Sequence, residues 1–181
     1  DKSDIRNLRH WHREAALRAK AADFDIGYVY ATHGYLLSHF LSAETNDRTD
    51  EYGGSMENRA RLLRELIEET KEAVGDRCAV AVRYSVGGDD GESDTLTNER
   101  RDCLEMLAEY PDLWDININN YEREMGVSRF FESGTLEEYM AFVKSVTTKP
   151  VVTVGRFTSP DAMASQVRRG IVDFIGAARP S

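Results

Sequence analysis

Five stretches of the chain carry nearly continuous apolar runs: "FDIGYVYA" (24–31), "CAVAVRYSV" (78–86), "LWDININ" (113–119), "PVVTVGRF" (150–157) and "DFIGAARP" (173–180). Short runs of this kind predict strands covered on both faces, as in a parallel sheet or a closed barrel. The segments between them change to helical spacing. In "MENRARLLRELIEETKEAV", Met56, Ala60, Leu63, Ile67 and Val74 recur along one face, with Ser55 as the start and Gly75 as the stop. Thr97 can cap "NERRDCLEMLAEY", which Pro111 ends. Thr135 and Glu138 form a capping box for "LEEYMAFVKSV". Ser159 and Pro160 open another helix that Gly170 closes. The first residues, "DKSDIRNLRHWHREAALRAKAA", read as helix. Helix and strand therefore alternate five times, which predicts an α/β fold with a parallel sheet.

Two architectures satisfy that order: an open doubly wound sheet, or part of a TIM (β/α)8 barrel. A complete barrel needs about 250 residues, so 181 residues would supply a partial barrel of five βα units. The last strand is followed only by "ARPS", which suggests a single domain spanning residues 1–181 within a longer chain.

Composition narrows the function classes. The chain is 41% hydrophobic and 30% charged with a net charge of −9, which speaks against nucleic acid, whose phosphates need clustered Lys and Arg. No apolar run approaches the roughly 20 residues that span a bilayer. Cys78 and Cys103 fall inside a predicted strand and a predicted helix, as reduced buried thiols of a cytoplasmic protein would.

In either architecture the chemistry collects at the carboxyl ends of the strands. Those ends carry Tyr30 and His33, then Arg83, then Trp114 to Asn117, then Gly155 and Arg156, and finally Gly176, Ala177, Ala178 and Arg179. The last two pair small residues with an arginine, and barrels often hold phosphate after their final two strands. Arg83 closes an otherwise apolar strand and must meet an anion there, because an unpaired buried charge is costly. Asp115 is one possible partner; an electron-rich ring that gains charge on reduction is the other.

The string "HGYLLSHFLSAETNDRTDEYGGSMENRAR", with "VGRF" and "IGAARPS", resembles the old yellow enzyme family of FMN oxidoreductases. The resemblance covers the chain and matches it to the fourth through eighth strands of that family's barrel. It implies FMN as cofactor, with Arg83 beside the flavin and Gly155, Arg156, Gly176, Ala177, Ala178 and Arg179 around its phosphate. The ene-reductases of the family carry His or Asn at both positions of a substrate pair, whereas here the first is Tyr30 and the second His33. That pattern is similar to the trimethylamine/dimethylamine dehydrogenase-like branch. The likeness implies Tyr30, His33 and an acidic residue as the catalytic triad, with Asp115 and Asn117 both candidates for the third place. It also implies Trp114 as an aromatic face for an alkylammonium, with Tyr35 and Asn117 as further substrate contacts. Ala31-Thr32 replaces the branch's usual small pair before the histidine. The loop residues Arg48, Asp50, Tyr52, Glu57, Asn58 and Arg59 read as a polar, structural turn.

The resulting expectation is an FMN-dependent amine dehydrogenase or N-demethylase acting on a small methylated amine by hydride transfer. A 4Fe-4S cluster would belong to the full-length protein, its ligands outside this chain, and the likeness leaves room for a homo-oligomer. The competing readings are an ene-reductase and a non-catalytic barrel fragment.

Overall fold

The computed structural model describes residues 1–87, 98–117, 137–155 and 157–176, apart from the side chains of Glu138 and Tyr139. Five parallel strands form one sheet: β1 (Ile26–Ala31), β2 (Ala79–Ser85), β3 (Leu113–Asn117), β4 (Val151–Val154) and β5 (Phe174–Gly176). Their spatial order is β1-β2-β3-β4-β5, the same as their order in sequence. That decides between the two architectures. A doubly wound sheet reverses its strand order at a switch point, whereas a barrel adds each strand beside the last.

The helices start and stop where local chemistry dictates. α1 (Lys2–Ala21) is capped by Asp1 and Asp4 in a reciprocal box. The short α2 (Leu36–Leu41) has no side-chain cap. α3 (Met56–Val74) begins at Ser55, whose side chain accepts from Asn58 N, and ends at Gly75 with φ 59°. α4 (Asn98–Leu107) and α5 (Glu137–Val146) follow; Thr97 and Thr135 lie outside the described residues, as does the Glu138 side chain. α6 (Pro160–Arg168) has Ser159 accepting from Asp161 N and proline in its first turn.

Register separates the two sheet faces. Val29, Val82, Trp114 and Val151 are paired across neighbouring strands. That row joins the core with Leu62, Leu63, Leu66 and Ile67 of α3. One residue further along each strand, Tyr30, Arg83, Asp115, Val152 and Phe174 form the row on the other face. Ile26, Tyr28, Tyr30 and Phe174 of that face are exposed. The described helices therefore cover one face of the sheet.

Two aspartates lock the amino-terminal edge in the same manner. Asp112, just before β3, accepts from Val80 N at 2.9 Å and from Lys71 Nζ at 2.6 Å. Asp173, just before β5, accepts from Val151 N at 2.8 Å and Lys144 Nζ at 2.7 Å. Each ties a strand start to the preceding helix, which fixes the register on which the opposite edge depends.

Candidate active site

At the carboxyl end of β1 the chain leaves the strand through two left-handed residues, His33 (φ 57°) and Gly34 (φ 67°). Glycine adopts that conformation freely, but histidine does so at a cost of order 1–3 kcal/mol, which the surroundings must offset. The turn brings the His33 ring back over the strand end. His33 Nδ1 lies 2.7 Å from the Tyr30 hydroxyl, and the Tyr35 ring stands edge-on to Tyr30 at 5.6 Å between centroids. Tyr30 and Tyr35 are both exposed.

The other nitrogen of the imidazole finds Asn117, whose Nδ2 is 2.9 Å from His33 Nε2. Of the two candidates for the third place, Asn117 is thus the residue that reaches the imidazole. Its Oδ1 accepts from Thr32 Oγ1 at 2.8 Å and from Ser85 Oγ at 3.1 Å, and the two hydroxyls also touch each other. Thr32, Ser85 and Asn117 are 0% exposed. Ser85 and Asn117 are register partners, so these residues form a second row, one step beyond Tyr30–Arg83–Asp115. Sequence reading passed over Thr32 and Ser85. The signal was there: a polar residue two places after Tyr30, Arg83 and Asp115 on each strand, sharing their face.

Asp115 turns instead to Arg83, with Oδ2 accepting from Nη1 at 2.7 Å. Burial pushes the Asp115 carboxyl up, and Arg83 opposes that shift. Its Oδ1 is buried with no hydrogen-bond partner among the described residues. Tyr28, 47% exposed, lies on this face beside the pair. Burial and the Asp115 charge raise its phenol, while Arg83 pulls it down. Tyr28 thus stands on the same exposed face as Tyr30 and not in the core.

The expected aromatic face at Trp114 is corrected outright. Trp114 sits on the helix side, 0% exposed, edge-on to Tyr84 at 5.6 Å, with Nε1 donating to the Ala108 carbonyl at 2.9 Å. Adjacent strand residues point to opposite faces, so a residue next to Asp115 cannot share its side. Trp114 belongs to the core.

Gly155 and Gly176 stand at neighbouring strand ends where side chains do not fit easily. A Cβ on Gly155 would lie 3.2 Å from the Phe157 ring, and one on Gly176 3.2 Å from Val154 Cγ1. Arg156, Ala177, Ala178 and Arg179 lie outside the described residues. The polar loop makes internal contacts. Arg48 pairs with Asp50, Tyr52 donates to Glu65, Asn58 to the Gly53 carbonyl, and Arg59 to the Leu41 carbonyl and Glu99. Gly53 is required there, since a Cβ would meet the Arg48 carbonyl oxygen at 2.1 Å. Among the described residues no cluster of His, Cys, Asp or Glu could hold a metal. None of their helices is long and apolar enough to cross a membrane.

A parallel sheet that adds its strands in order, with an aromatic–imidazole pair and a half-buried arginine at its carboxyl edge, has the layout of the active-site end of an α/β barrel. The model of the NADH:flavin oxidoreductase / NADH oxidase family matches residues 1–181, and the chain belongs to that family, whose cofactor is FMN. The chain is 37% identical over 190 residues to dimethylamine dehydrogenase of Hyphomicrobium sp. (strain x), covering 100% of this chain and 25% of that protein. The 6-hydroxypseudooxynicotine amine oxidase HisD of Pseudomonas geniculata N1 superposes with a TM-score of 0.92 at 56% identity, over 100% of this chain and 27% of that one. Histamine dehydrogenase of Rhizobium sp. 4-9 does so with a TM-score of 0.92 at 51% identity, over 100% and 26%. The chain spans about a quarter of the length of these relatives. Its five βα units are a portion of a TIM barrel.

Proposed function

We propose that the protein to which this chain belongs oxidises an amine at a carbon next to nitrogen, with FMN as the hydride acceptor. In this reading residues 1–181 are the carboxyl-terminal five units of an FMN-binding barrel in a longer polypeptide. The observation that carries it is the hydrogen bond between the Tyr30 phenol and the His33 imidazole at the mouth of the strands. An ammonium has no lone pair beside its C–H bond and cannot release hydride, so a neighbouring group must first exchange its proton. Tyr30, exposed and backed by His33, stands where such an exchange can occur.

The described residues fit an FMN. Arg83 supplies a guanidinium on the barrel face, suited to a ring that becomes electron-rich. Gly155 and Gly176 leave two adjacent strand ends of bare backbone, suited to close approach by a phosphate. Asp115 Oδ1, buried and without a partner among the described residues, calls for a donor beyond them. When bound, FMN supplies the two-electron acceptor.

With Trp114 in the core, the exposed aromatic rings at the described part of the site are those of Tyr28, Tyr30 and Tyr35, whose faces attract an ammonium of any substitution. The names of the relatives, one a dimethylamine dehydrogenase and another a histamine dehydrogenase, support testing both methylated and primary amines. The full-length flavoprotein is mixed anaerobically with dimethylamine, trimethylamine and histamine while its visible spectrum is followed. Bleaching of the flavin by at least one amine is expected. Bleaching only by NADPH, with turnover of an activated enone and none of the amines, defeats this reading in favour of an ene-reductase.

A further inference from the structure

We infer that Thr32 and Ser85 are positioning residues: they fix the Asn117 amide so that His33 is held as the neutral Nδ1–H tautomer, donating its proton to Tyr30. Counting protons leads there. A hydroxyl carries one proton, and an amide oxygen carries none but has two lone pairs. Asn117 Oδ1 faces two hydroxyls, Thr32 at 2.8 Å and Ser85 at 3.1 Å, and the hydroxyls touch each other. With Oδ1 on that side, each hydroxyl proton has an acceptor. With the amide turned over, two N–H donors would face two hydroxyls. One hydroxyl could then donate to the other, but the second would have no acceptor among these contacts. In a pocket that excludes water, a donor without an acceptor costs about 1–3 kcal/mol.

Once Oδ1 is fixed, Nδ2–H points at His33 Nε2, 2.9 Å away. Nε2 must then accept, because two donors cannot share a hydrogen bond. A neutral imidazole that accepts at Nε2 carries its proton on Nδ1, and Nδ1 is the atom 2.7 Å from the Tyr30 oxygen. The same amide opposes the imidazolium, which would put a second N–H against Nδ2. A carboxylate in the place of Asn117 would do the reverse, drawing the proton to Nε2 and leaving Nδ1 to accept from the phenol.

The consequence rests on the amine-oxidation reading. An Nδ1–H donor stabilises a Tyr30 phenolate, so the proton of R2NH2⁺ passes to Tyr30 Oη, giving R2NH and the phenol. His33 loses and gains no proton in that step. Tyr30 is the catalytic residue, and Asn117, Thr32 and Ser85 act through His33.

The test uses the full-length, FMN-loaded protein, oxidised and without substrate, with 15N-labelled histidine. Long-range 1H–15N correlation reads the tautomer, and the His33 signals are identified by their loss in H33Q. The wild type is expected to show Nδ1–H. Thr32→Ser keeps the hydroxyl and should keep that tautomer. Thr32→Val and Ser85→Ala release the amide and should show partial or complete transfer to Nε2–H, and Asn117→Asp should show Nε2–H. Amine-driven flavin reduction should slow by about tenfold or more in Thr32→Val and stay within about twofold in Thr32→Ser. Nε2–H in the wild type overturns the inference by itself, whether or not any variant folds. An unchanged Nδ1–H in both Thr32→Val and Ser85→Ala overturns the positioning role. Because the tautomer is read without substrate, it can be determined even in a protein that oxidises no amine.

Discussion

Replacing Trp114 by phenylalanine separates a core role from a substrate role. Trp114 is fully buried against Tyr84 on the helix face. Large aromatics bury 150–250 Å² each, and the exchange withdraws on the order of 40 Å² of ring, about 1 kcal/mol at ~25 cal/mol per Å². The unfilled space, roughly 40 Å³, adds about 1 kcal/mol at ~24 cal/mol per Å³. The indole N–H bond to the Ala108 carbonyl is lost, but that oxygen also accepts from Thr147 Oγ1 at 2.7 Å. It is not orphaned, so this loss falls at the low end, about 0.5–1 kcal/mol. The sum is about 2–3 kcal/mol of destabilisation. Urea unfolding of the full-length protein should show a lower midpoint for W114F. The KM for an amine and the rate of flavin reduction, taken well below the transition, should stay within about twofold of wild type. Unchanged stability with a tenfold rise in KM, about 1.4 kcal/mol, is the signature of a lost cation–π contact and would refute the placement of Trp114 in the core.

Three further outcomes follow from contacts on the two edges of the sheet and in the loop. Asp112→Ala strands the Val80 N–H and leaves the Lys71 ammonium with the Tyr110 carbonyl. Loss of that acceptor costs about 1–3 kcal/mol, so hydrogen exchange at the Val80 amide should quicken by about tenfold or more, while Asp112→Asn does less. Asp50 is held down to about 2, first by its hydrogen bonds from Arg48, with Tyr52 N–H helping and burial opposing. A depressed carboxyl stabilises the fold above its ordinary value near 3.8 and loses that contribution as pH falls through about 2. A carboxyl NMR titration should find the low midpoint, and Arg48→Met should raise it toward the ordinary carboxylate value, with the Tyr52 N–H still holding it below. Arg83→Met should slow amine-driven flavin reduction by on the order of 10²-fold in stopped-flow; a rate within about twofold of wild type would remove Arg83 from the site.

Much of the fold was legible because the signals were local. Strands lie inside the apolar runs, and Ser55, Gly75, Ser159 and Pro160 act at the helix ends where their chemistry predicts. α2 was not legible: six residues are too few to show a period, and no side chain caps it. Choosing a barrel over a doubly wound sheet needed strand order, which no single strand encodes. The continuous apolar runs suggested cover on both faces, yet the described helices cover only one.

The site was legible by residue type but not by face. Tyr30 and His33 could be paired because three residues and a tight turn bring them together. Trp114 and Asp115 could not be sorted, because neighbours in a strand face opposite ways and only register says which way. Once Tyr30, Arg83 and Asp115 are aligned, the next row must be Thr32, Ser85 and Asn117. The two rows differ in kind. The first holds a guanidinium and a carboxylate whose charges oppose each other, and the second holds two hydroxyls and an amide with no charge at all. His33 closes over the uncharged row, so its proton is placed by hydrogen-bond direction and not by a neighbouring ion. That gives Ala31-Thr32 its explanation: at position 32 an alanine or glycine would supply neither the hydroxyl nor the proton that tells the Asn117 amide which way to turn.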